Sequence, residues 1–315
     1  MQHYRTIKIG TRGSRLARYQ ASQVQARLEE YLKSAGEKVG CELIEIKTTG
    51  DRITDRRLSD IGGKALFTKE IDQALLEGRI DIAVHSIKDI ETFIHPDLDL
   101  QAALEREDPR DVLITAHQGH TLQEIAPGAT LGTASLRRQS QILHLRPDLK
   151  VSLLRGNVPT RLEKVYSGAI DLTLLAAAGL KRLQLLADHH YCFAEDQVTP
   201  AVGQGGIGLV CRRNDSEMQN ILRAINHPES LAAIELERLF LEGVNGDCHT
   251  PVGGLVKFLS AQHLQFYGCV ATADGHHLWR ECVILTTAHA QQELMRLGQE
   301  MNQWLIKHHV LSPCS

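Results

Sequence analysis

Aromatic residues are scarce, at 4% of the 315 residues with two tryptophans among them. So few rings cannot build a base-stacking surface, and no basic stripe is interleaved with them, which argues against a nucleic-acid partner. No segment approaches the roughly 18 consecutive apolar residues of a membrane span, so no membrane partner is expected. No apolar signal region follows Met1, and the expected location is the cytoplasm. The seven cysteines are an odd number without C-x-x-C spacing. They indicate no disulfide framework and suit a reducing compartment. His189-His190-Tyr191-Cys192 has metal-ligand side chains but no second cluster at useful spacing, so no metal is expected. No G-x-x-x-x-G-K-[ST] occurs, and no G-x-G-x-x-G follows a strand-like segment, which removes the common nucleotide loops.

What remains is an ordinary globular composition, 43% hydrophobic and 23% charged, in a chain long enough for two or three domains. The net charge of −3 conceals an asymmetry. Residues 132–182 carry nine Lys/Arg against three acids, leaving 26 basic against 35 acidic residues elsewhere. A basic island in an acidic chain points to a local anionic ligand.

The first third alternates strand and helix patterns. Residues 6–10 read as a strand, 16–32 as an amphipathic helix, 42–47 as a strand, 67–77 as a helix and 80–84 as a strand. A charged, proline-containing crossover follows at 105–111. A second series places strands at 129–132, 151–154 and 170–175 and helices at 135–145 and 158–167, with Pro159 in a first turn where proline is tolerated. This order argues for α/β units with mainly parallel sheets and helices on both faces, and two similar halves. Residues 200–210 look like a return strand, and the last ninety or so read as an α+β unit of two helices and two or three strands. Cys41, Cys211, Cys269 and Cys282 fall in strand-like runs and read as core.

Ligands in such sheets sit beyond the carboxyl ends of the strands. Thr11-Arg12-Gly13-Ser14 and His85-Ser86-Ile87-Lys88-Asp89 occupy those ends, and an acid beside a lysine there is a plausible general acid/base. At 132–138, Ser135 can cap a helix whose first turn holds Arg137 and Arg138. Cations are unfavourable there unless an anion sits between them and the helix end. Arg155 and Arg161 bracket the next turn, where Asn157 can cap, and Arg182 follows a third strand–helix stretch. Arginines at successive strand ends suit bidentate recognition of carboxylate or phosphate. Residues 61–67, containing Lys64 and Phe67, form a glycine turn before a helix and a candidate mobile segment. Cys248 stands apart from the other thiols, in the tight loop Gly246-Asp247-Cys248-His249-Thr250-Pro251, where something can be attached to or attacked by its sulfur.

Read together, these segments resemble the porphobilinogen deaminase (hydroxymethylbilane synthase) family over nearly the whole chain. The resemblance rests on 11–14, 62–64, 85–89, 105–111, 132–138, 154–157, Pro200-Ala201-Val202-Gly203-Gln204-Gly205 and 246–251. It implies two lobes like those of type II periplasmic binding proteins and a small C-terminal α+β domain. The domains would span 1–104 with 201–224, 105–200, and 225–315. It also implies a dipyrromethane cofactor in thioether linkage to Cys248, a primer to which four porphobilinogens are added with loss of ammonia before hydrolysis releases hydroxymethylbilane. Lys88, Asp89, Ser135, Arg137 and Arg138 would hold the cofactor; Arg12, Ser14, Arg155, Arg161, Arg182 and Gln204 would bind substrate carboxylates or line the cleft. Asp89 would assist ammonia loss and stabilise the cation it leaves behind. A monomer is implied as well.

Asp247, Ala65, Pro159, Asp60 and Ile90-Glu91 depart from the family's usual residues, but every position given a chemical role is retained. Two other readings compete. The lobes alone would suit a binding protein for a small polyanion, although that reading leaves the cysteine loop without a purpose. A cysteine hydrolase using Cys248 and His249 would require adjacent residues to act as nucleophile and base, with no third group to orient them.

Overall fold

In the computed structural model the described residues are 6–52, 66–116, 119–246 and 250–311; Lys64 and Cys248 lie outside them. Thr6–Thr11 (β1), an inner strand of the first sheet, shows alternating burial, with Ile7 and Ile9 inward. The helix Arg15–Ser34 (α1) starts where the Ser14 side chain accepts from Ala17 N, and buries Ala17, Ala21, Val24, Leu28 and Leu32 at three- and four-residue spacing. The chain returns as Gly40–Glu45 (β2), parallel to β1. The short helix Thr49–Arg52 (α2) and the helix Lys69–Leu76 (α3) precede Ile82–Ser86 (β3), which is parallel to β1 on its other side. Leu98–Ala103 (β4) forms the far edge.

The second series begins with Asp111–Thr115 (β5), Thr130–Gly132 (β6) and Leu136–Leu145 (α4). Lys150–Ser152 (β7), Val158–Tyr166 (α5), Leu172–Ala176 (β8), Ala177–Arg182 (α6) and Tyr191–Cys192 (β9) follow. Ile207–Arg212 (β10) then rejoins the first sheet, antiparallel to both β3 and β4. Only that part of the expected return strand is extended; Pro200–Gly206 is turn.

The strand orders are β2-β1-β3-β10-β4 and β7-β6-β8-β5-β9. Each sheet has one strand against the common direction, so both are mainly parallel, and each has a separate apolar core on either face. The halves also agree in detail. Lys8 N donates to Asp81 Oδ2 at 2.9 Å, and Thr130 N to Asp171 Oδ2 at 2.7 Å. Gly10 lies against Ile80 and Gly132 against Ile170, each too close to admit a Cβ.

The helices Ser216–Ala224 (α7) and Pro228–Val244 (α8) lead to an antiparallel sheet of Val252–Phe258 (β11), His263–Ala271 (β12) and Leu278–Thr286 (β13), covered by Ala290–Lys307 (α9). Phe240, Phe266, Leu294 and Met301 fill its core. Cys282 corrects a sequence expectation: it lies on β13 but is exposed, because the face it shares with Cys269 is covered only in part, where α4 packs, whereas Cys211 and Cys269 are buried and Cys41 is partly so.

The described residues form two compact units, 6–52, 66–106 and 206–232 in one, and those of 107–205 and 233–311 in the other. Within the second, Glu237 on α8 accepts from Gly203 N and from Val256 N, both at 2.8 Å, and Gly254 N donates to Pro200 O at 2.9 Å. The C-terminal sheet is therefore tied to the segment leaving the second α/β sheet. Among the described residues, no helix is long and apolar enough to cross a membrane, and no group of three His, Cys, Asp or Glu could hold a metal.

Candidate active site

In the first unit, parallel β1 and β3 end at the same edge. An open cleft lies there, lined by Arg12, Ser14, Phe67, His85, Lys88 and Asp89 among others. Ser14 spends its hydroxyl on the cap of α1, leaving the helix's N-terminal dipole end at the cleft. Ile87–Asp89 form a single 3-10 turn after β3, which places Lys88 and Asp89 on the rim.

Arg12 is the centre of this cluster. Its Nε donates to Asp51 Oδ1 at 3.2 Å, its Nη1 lies 3.6 Å from Asp89 Oδ2, and its Cζ stands 4.1 Å from the centroid of the Phe67 ring. Burial raises the Asp51 carboxyl, but hydrogen bonds from Arg12 and Thr48 outweigh it and hold the group below its ordinary value. Beneath the rim, His85 is buried; its Nε2 finds no hydrogen-bond partner among the described residues and lies 3.7 Å from Asp72 Oδ1. Burial, with the charge of Arg12, pushes His85 down to about 4, so the ring is neutral. Burial above all lifts Asp72 to about 6.

The second unit holds the basic island. Ser135 caps α4 as expected, and Asn157 caps α5 by accepting from Thr160 N at 2.9 Å. Arg137 and Arg138 are 5% and 6% exposed, and the anion that offsets their place in a first turn is internal. Asp111, fully buried at the start of β5, accepts from Arg137 Nη1 at 2.7 Å and from Arg138 Nη2 at 2.7 Å. Gln204 Nε2 adds a bond to Asp111 Oδ1 at 3.1 Å and one to Pro109 O at 2.6 Å. Burial opposes ionisation of Asp111, but the two guanidiniums prevail and hold it well below the carboxylate range. Arg182 at the end of α6 is 9% exposed and donates to Gly205 O at 2.7 Å. Gly205 has φ +89, and a Cβ there would strike Glu107 O. Arg161 donates to Gly156 O at 2.8 Å, and Arg155 follows β7.

Of the residues singled out in the sequence, Arg12, Ser14, Phe67, Lys88 and Asp89 thus share one cleft, and Arg137, Arg138 and Gln204 share one buried carboxylate. Asp51 and Asp111 escaped sequence reasoning because each sits in a segment dense with other charges. A trace of Asp111 was present: α4 buries Arg137, Arg138, Ser140 and Gln141 beside Ile142, so its apolar residues make no clean stripe.

A cleft with a carboxylate among cations fits an anionic ligand and a cationic transition state, and comparison with known proteins gives that chemistry a lineage. Residues 7–220 match a family model described as "Porphobilinogen deaminase, dipyromethane cofactor binding domain", and residues 231–307 match "Porphobilinogen deaminase, C-terminal domain". The porphobilinogen deaminase of Nitrobacter winogradskyi is 49% identical over 85% of this chain and 83% of its own. That of Alkaliphilus metalliredigens is 44% identical over 94% and 92%, and the chloroplastic protein of Pisum sativum is 42% identical over 95% and 81%. The chain belongs to the porphobilinogen deaminase family.

Proposed function

We propose that Asp89 is the catalytic acid/base of this chain, that Cys248 carries its dipyrromethane, and that the cationic side chains of both units hold pyrrole carboxylates. The chain is a transferase, with the hydroxymethylbilane synthase activity of its family in tetrapyrrole biosynthesis, and its substrate is porphobilinogen. The observation that carries the reading is the contact between Asp89 and Arg12 at the mouth of the cleft, 3.6 Å, with Lys88 on the same turn.

The residues present fit the cofactor. Each pyrrole brings an acetate and a propionate, and Arg12, Lys88 and the capped end of α1 surround the cleft with positive partners. In the second unit, Ser135, Arg137 and Arg138 serve the cofactor and Arg155, Arg161, Arg182 and Gln204 the substrate. Bound through a thioether, the dipyrromethane would supply the nucleophilic pyrrole carbon to which the substrate units are joined. Asp89 has two tasks: it handles the proton as the amine of the aminomethyl group leaves as ammonia, and its carboxylate faces the positive charge then developing on the methylene that remains on the substrate. Arg12 and Lys88 orient the substrate by its acids, so that the leaving group lies toward Asp89.

Three domains, 1–104 with 201–224, 105–200 and 225–315, accord with the three sheets. Of the candidate mobile segment, Lys64 lies outside the described residues, and Phe67 lines the cleft beside Arg12. A cytoplasmic setting accords with seven cysteines lacking C-x-x-C spacing, and a monomer with the family resemblance. The reaction is tested by stoichiometry. Purified protein given porphobilinogen should release about four ammonia for each hydroxymethylbilane formed, since each condensation expels one amine. Binding of porphobilinogen without ammonia release would leave only a polyanion-binding role.

A further inference from the structure

Asp51 lies outside every motif that carries the family resemblance, yet it makes the closest contact of the cleft's central arginine. It grips Arg12 from the side with both carboxylate oxygens, 3.2 and 3.3 Å from Nε, while Arg12 Nη1 reaches toward Asp89. Thr48 Oγ1 donates to Asp51 Oδ2 at 2.7 Å and fixes the carboxylate in turn. The short helix α2 that carries Asp51 is itself anchored, since Thr49 N donates to Glu70 Oε1 on α3 at 2.8 Å. Gly50 completes the arrangement. A Cβ there would meet the Phe67 ring at 2.4 Å, so only glycine lets that ring lie against α2 and present its face to Arg12. A planar guanidinium held at one edge by a carboxylate and on one face by a ring has little freedom left to turn.

We propose that Asp51 is a positioning residue: it fixes the plane of Arg12, and Arg12 fixes the carboxylate of Asp89 for the proton and charge work of each condensation. Among the described residues, the charged and titratable groups around that carboxylate are Arg12 and Lys88 on the rim, Asp51 on α2, and the buried, neutral His85 with Asp72 of α3 beneath. Removing the charge of Asp51 releases Arg12 without removing either Arg12 or Asp89. The loss therefore falls on the chemical step, not on substrate capture. A role in holding Arg12 for a substrate carboxylate would do the reverse and raise KM.

The inference rests on Asp89 acting as proposed above, so Asp51→Asn and Asp89→Asn are measured side by side. Intact mass first establishes that Asp51→Asn carries the same covalent load as the parent, and a thermal midpoint that it is equally folded. The expected result is a kcat lower by about tenfold, with KM for porphobilinogen within about twofold, the size expected for a lost charged hydrogen bond to a group near the chemistry. If the variant does not fold, Phe67→Leu, which removes the other restraint on Arg12, carries the same test with a smaller drop in kcat. A raised KM at unchanged kcat, a normal enzyme, or a failure to carry the covalent load each overturns the inference. Normal turnover by Asp89→Asn would instead remove the reading on which it rests.

Discussion

Asp89→Asn is expected to lower turnover by about 10²- to 10⁴-fold while porphobilinogen still binds, the range for loss of a general acid/base that also stabilises a developing charge. The substitution is nearly isosteric, so the 3-10 turn Ile87–Asp89 and its cap bond, Ile90 N to Ile87 O at 3.0 Å, keep their shape. What disappears is the negative charge. An amide cannot take up a proton at neutral pH, and it offers the substrate cation only a dipole. Single-turnover measurement of ammonia release separates this step from later product release. Turnover within about threefold of the parent would exclude Asp89 from its proposed role.

Asp111→Ala should destabilise the second unit by about 3–5 kcal/mol, the cost of leaving a buried charge unpaired. The case is severe here because one carboxylate, fully buried, balances two guanidiniums that are themselves 5% and 6% exposed. Removing it strands both charges and takes an acceptor from Gln204. Both tryptophans, Trp279 and Trp304, pack with the C-terminal core of the same unit, so urea unfolding followed by their fluorescence reports the effect. A change below about 1 kcal/mol would mean that Arg137 and Arg138 do not depend on Asp111 for their place.

The sequence was most legible where one physical rule acted alone. Three- and four-residue apolar spacing located α1, and the side-chain oxygens of Ser135 and Asn157 marked helix starts where the caps are found. Strands were harder at the sheet edges and after the crossover. β4 carries Asp99 and Gln101 in an edge strand, and β5 follows a run of charges, so neither stood out although β5 sits between β8 and β9. Polar contacts were legible only by half. The sequence offered Arg12, Arg137 and Arg138 as anion ligands, and the fold gives each an internal carboxylate at once. Nothing in local spacing brings residue 51 to residue 12 or residue 111 to residue 138; those meetings are made by sheet topology. The exposed Cys282 follows from the same cause, since alternation tells which residues share a face but not which part of that face is covered.

The most direct test of the whole account is the intact mass of the protein as purified. A primer held by a thioether predicts an excess over the polypeptide equal to two porphobilinogen-derived pyrrole units, and no excess in Cys248→Ala. A bare polypeptide mass that stays bare after incubation with porphobilinogen, or an excess that survives Cys248→Ala, would contradict it.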